Sequence, residues 1–116
     1  MSKIQSTIST GSEQYKANRE ANLAQLETVR DAVKLAAAGG GEKSRERHVS
    51  RGKLLPRDRV SNLLDPGTPF LEIGATAAHD MYGGDSPCAS LITGIGRVQD
   101  QEVMVICNDA TVKGGT

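Results

Sequence analysis

The chain has 116 residues, 37% of them apolar, with 14 basic and 14 acidic side chains, enough for one small domain burying about two thirds of its unfolded surface. A formal charge of zero leaves no global field to gather nucleic acid or an anionic membrane. With Phe70, Tyr15 and Tyr82 as its aromatic residues and no Trp, the chain also lacks the rings on which bases stack.

The first twenty residues carry Glu13 and Glu20 and no apolar run, which argues against a signal peptide and against an acid-poor presequence. No window approaches the roughly 18 apolar residues of a membrane span. Cys88 and Cys107 have no C-x-x-C spacing and read as free thiols of a reducing compartment. The expectation is a cytoplasmic protein without a membrane or nucleic-acid partner.

Thr10 and Glu13 have the spacing of a capping box, so a helix is expected to start there. Tyr15, Leu23, Leu26, Val29, Val33 and Ala37 recur near multiples of 3.6 and form one stripe of a long amphipathic helix. Gly39, Gly40 and Gly41 end it, because glycine readily takes the left-handed conformation that closes a helix. Glu42 to Ser50 has helix formers but almost no apolar stripe, and reads as a partly helical, solvent-facing connection. Between Lys43 and Arg59 lie seven of the 14 cationic side chains against Glu46 and Asp58, a local positive cluster.

Pro56 is placed as a first-turn residue of a short helix whose apolar face is Val60, Leu63 and Leu64, ending at Asp65. The run Asp65-Pro66-Gly67-Thr68-Pro69 is a turn signal. From Phe70 the period changes: Phe70, Leu71 and Ile73 form a short apolar run, followed by a Gly-rich acidic loop. Ala89 to Val98 and Val103 to Cys107, separated by Gln99, Asp100 and Gln101, have the layout of a β hairpin. Val103 to Cys107 is apolar without alternation, as in a strand covered on both faces. A chain that stops just after such a strand reads as a fragment.

Three blocks resemble a known family. They are Arg51-Gly52-Lys53-Leu54-Leu55-Pro56-Arg57-Asp58-Arg59 with Leu63 to Glu72, then Ile92-Thr93-Gly94-Ile95-Gly96-Arg97-Val98, then Asn108-Asp109-Ala110-Thr111-Val112-Lys113-Gly114-Gly115-Thr116. In order and spacing they resemble the start of carboxyltransferase (beta) subunits of biotin-dependent acyl-CoA carboxylases. The last block is similar to the methylcrotonyl-CoA branch, with the geranyl-CoA and propionyl-CoA branches as alternatives. The resemblance implies an α/β chain, the N-terminal part of a crotonase-like carboxyltransferase domain, with residues 1–41 as a leader helix and 42–116 as the incomplete start of the domain. It also implies transfer of a carboxyl group from carboxybiotin to 3-methylcrotonyl-CoA, in leucine degradation. Biotin would be carried by an alpha subunit, the beta subunits would form a homo-oligomer, and no catalytic residue and no metal would lie in this segment.

For acyl-CoA contact the candidates are Ala110, Thr111, Lys113, Gly114 and Gly115, where a glycine pair after a strand lets a thioester or pantetheine chain approach the backbone and Lys113 offers a point charge. Spacing alone fits a plain strand-to-helix turn equally well. Arg51, Lys53, Arg57 and Arg59 are the candidates for CoA phosphates, since guanidinium forks match phosphate oxygens. A solvated helix face or a subunit contact is the ordinary alternative. His48 and His79 lack neighbours at metal-ligand spacing and read as surface residues. A rival of another class is a stand-alone binding or assembly module, whose amphipathic helix docks a partner.

Overall fold

A computed structural model describes residues 3–115. The ends of the expected leader (Met1, Ser2) and of the last sequence block (Thr116) lie outside the described residues. The chain divides into two units, Met1–Asp31 and Ala32–Thr116. The class is α/β: three helices, α1 (Glu13–Ala37), α2 (Glu42–Ser50) and α3 (Pro56–Leu63), precede three strands, β1 (Leu71–Ile73), β2 (Leu91–Val98) and β3 (Gln101–Asn108). No helix among the described residues is long and apolar enough to cross a membrane.

Helix α1 starts at Glu13 rather than within a Thr10–Glu13 box. Ser12 is the capping residue, its Oγ accepting from the Tyr15 amide at 3.2 Å, one of the donors a helix start leaves unpaired. The expected stripe exists as spacing but is not a buried face. Leu23, Leu26, Val29 and Val33 are all exposed, and the residue of α1 that is buried is Ala36, not Ala37. Gly39, at φ +71°, closes the helix as expected. Gly40 is required for a different reason: a Cβ there would run into the backbone carbonyl of Thr111, and its amide donates to Thr111 Oγ1 at 3.0 Å. Glu42–Ser50 is a continuous nine-residue helix with no buried residue, so the expected connection is fully helical and solvent-facing.

Pro56 sits in the first turn of α3, where its missing amide hydrogen has no partner to lose. Val60 is buried and Leu64 packs beside it, one helical turn on, whereas Leu63 is exposed. The apolar face of α3 is therefore narrower than the sequence suggested. It lies on one face of an antiparallel sheet of order β1-β2-β3, and Val60, Ile92 and Val105 form the core, with Leu64, Phe70, Val103 and Cys107 against it. Gly94 and Gly96 of β2 lie against Phe70 and Leu64: a Cβ on Gly94 would collide with Phe70 and Leu71 O, and one on Gly96 with Leu64 and Phe70. The two glycines are what let those side chains lie flat on the sheet.

The hairpin loop is two residues, Gln99 and Asp100, since Gln101 already pairs with Val98. Both loop residues have positive φ, +50° and +62°, the mirror-image turn whose twist suits two paired strands. The sequence lacks the Asn-Gly usual there. Asp65 supplies the compensation: its carboxylate accepts from the amides of Gln99 and Asp100 at 2.7 and 2.8 Å, and its own amide donates to Arg97 O at 2.8 Å. The end of α3 thus holds the turn of the hairpin.

Strand β3 differs from expectation. It is not covered on both faces, because Val105 is buried while Met104 and Ile106 are 59% and 67% exposed. The apolar run lacked alternation in residue type, yet the pleat still sends its side chains to opposite sides.

Replacing Asp65 with Ala is expected to lower stability by about 1–3 kcal/mol, since two turn amides lose a charged acceptor. Adding Asp100→Gly, which removes the strain of a left-handed side-chain residue, should recover part of it, as read by urea unfolding.

Candidate functional site

The segment that joins the helices to the sheet carries its charged residues in two different ways. Arg57, on the first turn of α3, forms a bidentate pair with Glu72 of β1, with both nitrogen–oxygen distances at 2.8 Å. The fork geometry and partial burial make this a directional clamp rather than a loose surface pair. The guanidinium is held charged, its pKa raised chiefly by the hydrogen bond to Glu72. Its Nη2 also lies 3.6 Å from the buried Cys88 Sγ, which donates to Ala75 O at 3.2 Å. Burial pushes the Cys88 thiol above its ordinary range, and the nearby Arg57 only partly opposes this. Both cysteines are free thiols. Cys88 is a packed, neutral thiol, not a thiolate nucleophile.

Arg51, Lys53 and Arg59, by contrast, are exposed. Arg51 follows the last turn of α2, Lys53 lies in the link to α3, and Arg59 lies on α3. His48 bonds Leu54 O through Nε2 at 3.0 Å, which folds this link back on α2. His79 lies beside Asp80 at 3.5 Å, both exposed, and among the described residues no group of three or more His, Cys, Asp or Glu side chains could hold a metal.

After β3 the chain turns tightly. Asp109, 6% exposed, accepts from the Thr111 amide at 2.8 Å and from Thr111 Oγ1 at 2.5 Å, while Thr111 Oγ1 accepts from Gly40. Val112 is the most deeply buried large side chain. Gly115 donates to Val112 O at 2.7 Å, and Asn108 Nδ2 donates to Gly115 O at 3.0 Å. Of the residues expected to meet an acyl-CoA, Ala110, Lys113 and Gly114 are exposed and Gly115 is half-buried, whereas Thr111 is buried in the latch to Gly40. Lys113 Nζ sits 4.3 Å from the centroid of the Tyr82 ring, a cation–π contact.

Two of the expected residues, Arg57 and Thr111, line a common cavity of about 220 Å³ together with Gly39, Arg45, Pro56 and Asp109. Arg51, Lys53, Arg59, Ala110, Lys113, Gly114 and Gly115 do not line it. Arg45 and Asp109 both line it, and the Nε of Arg45 is buried with no hydrogen-bond partner among the described residues. Sequence reasoning counted Arg45 in the basic cluster but did not single it out, and read Asp109 only as part of a motif. The Gly-Gly-Gly end of α1 was the available signal, since Gly40 is what lets the Thr111 loop come close.

A family model described as the carboxyl transferase domain matches residues 47–116, and the chain belongs to that family. Over 85 residues it is 65% identical to the biotin-dependent 3-methylcrotonyl-coenzyme A carboxylase beta1 subunit of Mycobacterium tuberculosis, covering 72% of this chain and 16% of that protein. Over 114 residues it is 43% identical to a probable mitochondrial methylcrotonoyl-CoA carboxylase beta chain of Drosophila melanogaster, covering 97% of this chain and 20% of that one. Among solved structures, the beta subunit of P. aeruginosa geranyl-CoA carboxylase superposes with a TM-score of 0.80 at 34% identity, over 97% of this chain and 21% of that chain. The chain thus spans about a fifth or less of the length of these relatives. The α/β arrangement is that of the crotonase-like carboxyltransferase fold, as the sequence blocks implied.

Arg57→Lys keeps the charge but loses the fork, and is expected to lower stability by about 1–2 kcal/mol in urea unfolding. Cys88 gives a pH dependence. Its folded pKa is raised, so its contribution is complete below the ordinary thiol pKa of about 8.5 and is lost as pH rises above that. The urea midpoint should fall on going alkaline and fall less in Cys88→Ala, and iodoacetamide should modify Cys88 more slowly than the half-buried Cys107.

Proposed function

We propose that this chain is the amino-terminal part of a carboxyltransferase beta subunit that moves a carboxyl group from carboxybiotin to the γ-carbon of 3-methylcrotonyl-CoA. The observation that carries this reading is the 65% identity over 85 residues to the Mycobacterium tuberculosis beta1 subunit. In this reading residues 1–41 are a leader and residues 42–116 the start of the carboxyltransferase domain.

The residues here would shape one wall of the acyl-CoA site. The turn after β3 presents backbone at Ala110, Gly114 and Gly115 with little side chain in the way, which suits close approach of a thioester or pantetheine chain. The latch from Asp109 through Thr111 to Gly40 holds that turn in place, so Thr111 positions the wall. Arg51, Lys53 and Arg59 are exposed cations able to meet CoA phosphates. Arg57, engaged by Glu72, sets the start of α3 that carries Arg59. Biotin enters as the group of a partner alpha subunit; the described residues are assigned no contact with it and no step through it. Assembly with further beta subunits and a cytoplasmic location complete the reading.

Geranyl-CoA is the second substrate to test, since the beta subunit of a geranyl-CoA carboxylase superposes over 97% of this chain. The decisive assay uses a complete subunit in which residues 1–116 replace their counterpart in the Mycobacterium tuberculosis beta1 subunit, paired with its biotin-carrying partner. Carboxylation of methylcrotonyl-CoA should exceed that of propionyl-CoA and geranyl-CoA by about tenfold or more in kcat/KM, the discrimination a shaped acyl pocket supplies. A preference for propionyl-CoA overturns the assignment.

A further inference from the structure

The segment between β1 and β2, residues 74–90, is fixed at its root and bare at its tip. At the root the Ala89 amide donates to Ala77 O at 3.1 Å, the Cys88 thiol to Ala75 O at 3.2 Å and the Asp109 amide to Ser90 O at 2.8 Å. Ser86, Cys88 and Ser90 are buried, whereas every residue from Asp80 to Asp85 is exposed. The bond from Asp109 ties the loop to the turn after β3, and both lie in the same unit.

The tip is held in costly backbone. Asp80 and Tyr82 have φ of +58° and +54°, and Gly83 and Gly84 follow at +70° and +82°. Glycine takes this conformation freely, but a bulky side chain there is an outlier. Core packing does not compensate it, because Tyr82 is 69% exposed. What the ring meets is Lys113 of the turn after β3, whose Nζ lies 4.3 Å from its centroid. A strained position that brings a large exposed ring to one particular neighbour is of the kind that ligand clamps retain.

We propose that Tyr82 is a binding residue of the acyl-CoA site, its ring set beside the 110–115 turn by Lys113 and lying along the pantetheine arm of the substrate. This rests on the functional reading above, and it adds the loop between β1 and β2 to a site so far assigned to the turn and the basic residues. Pantetheine alternates amides with short apolar pieces, so it calls for peptide groups and flat apolar surface side by side. The exposed turn residues Ala110 and Gly114 supply the first, and the ring of Tyr82 the second. The contact with Lys113 orients the ring, while the exposure of Tyr82 leaves much of its surface open to a ligand. In this role Lys113 is a positioning residue that acts through the ring. The acyl group differs among the candidate substrates and the arm does not, so a ring on the arm sets affinity for all of them rather than choice among them.

The test uses the complete chimeric subunit with its biotin-carrying partner. Tyr82→Ala should raise KM for methylcrotonyl-CoA about tenfold while kcat stays within about twofold, the pattern of lost uniform binding. The same factor is expected with propionyl-CoA and geranyl-CoA, and inhibition by adenosine 3′,5′-bisphosphate, which lacks the arm, should not change. Tyr82→Phe keeps the ring and should hold KM within about threefold of the unmodified value. Lys113→Met should raise KM about fivefold, and combined with Tyr82→Ala it should add nothing, because both changes remove one interaction. Tyr82→Gly separates binding from folding: without a β-carbon in left-handed backbone, it should melt no lower than the unmodified subunit and still show the raised KM.

An unchanged KM in Tyr82→Ala overturns the proposal, as does a double variant in which the two penalties multiply. So does a penalty confined to one acyl group, which puts the ring on the acyl chain, or weakened inhibition by the bisphosphate, which puts it on the adenine. Calorimetry with coenzyme A keeps the outcome distinct from the functional reading. Binding of coenzyme A that depends on Tyr82, in a chimera that carboxylates none of the three substrates, sinks that reading and leaves the binding residue standing. A chimera that binds no coenzyme A, or does not assemble, overturns both.

Discussion

Packing of Val60 of α3 against Ile92 of β2 and Val105 of β3 is the contact on which the second unit depends. It joins the helical half of that unit to the sheet across about 30 to 45 residues of chain, the kind of non-local contact whose loop-closure cost must be met by apolar area. Around it everything that orients the helix is polar and specific. Arg57 grips Glu72 at one end of α3, and Asp65 holds the hairpin turn at the other. A small apolar cluster supplies attraction without direction, and the two carboxylate contacts supply direction.

The same economy explains the loop after β3. Asp109, Thr111 and Gly40 form a closed hydrogen-bonded set in which the hydroxyl of Thr111 both donates and accepts. Close approach of the two segments requires a residue without a side chain at position 40. The turn is therefore held at a fixed place by buried side chains, while Ala110 and Gly114 stay exposed.

Among the cations the structure separates roles that the sequence merged. Seven basic residues between Lys43 and Arg59 formed one cluster on paper. In space Arg57 is bound to Glu72, Arg45 lines a cavity with its Nε buried, and Arg51, Lys53 and Arg59 face solvent. Each has a different electrostatic meaning, because a charge already paired by a carboxylate has little left for a phosphate.

Local rules were sufficient wherever one residue type had one physical consequence. Gly39 ending α1, Pro56 opening α3, the 65–69 turn and the β2–β3 pair could all be read from the chain, as could the family, from three blocks in order. Element ends were less legible: Ser12 took the cap from Thr10, and Gln101 joined β3 because Asp65 made a two-residue turn possible. What tertiary structure alone decided was which apolar residues are inside. The stripe of α1 and the outer face of β3 have the same composition as core, yet Val29, Met104 and Ile106 lie exposed. Periodicity assigns side chains to a face, but only a packed neighbour makes that face an interior, and the neighbour is a long-range fact that no local pattern contains.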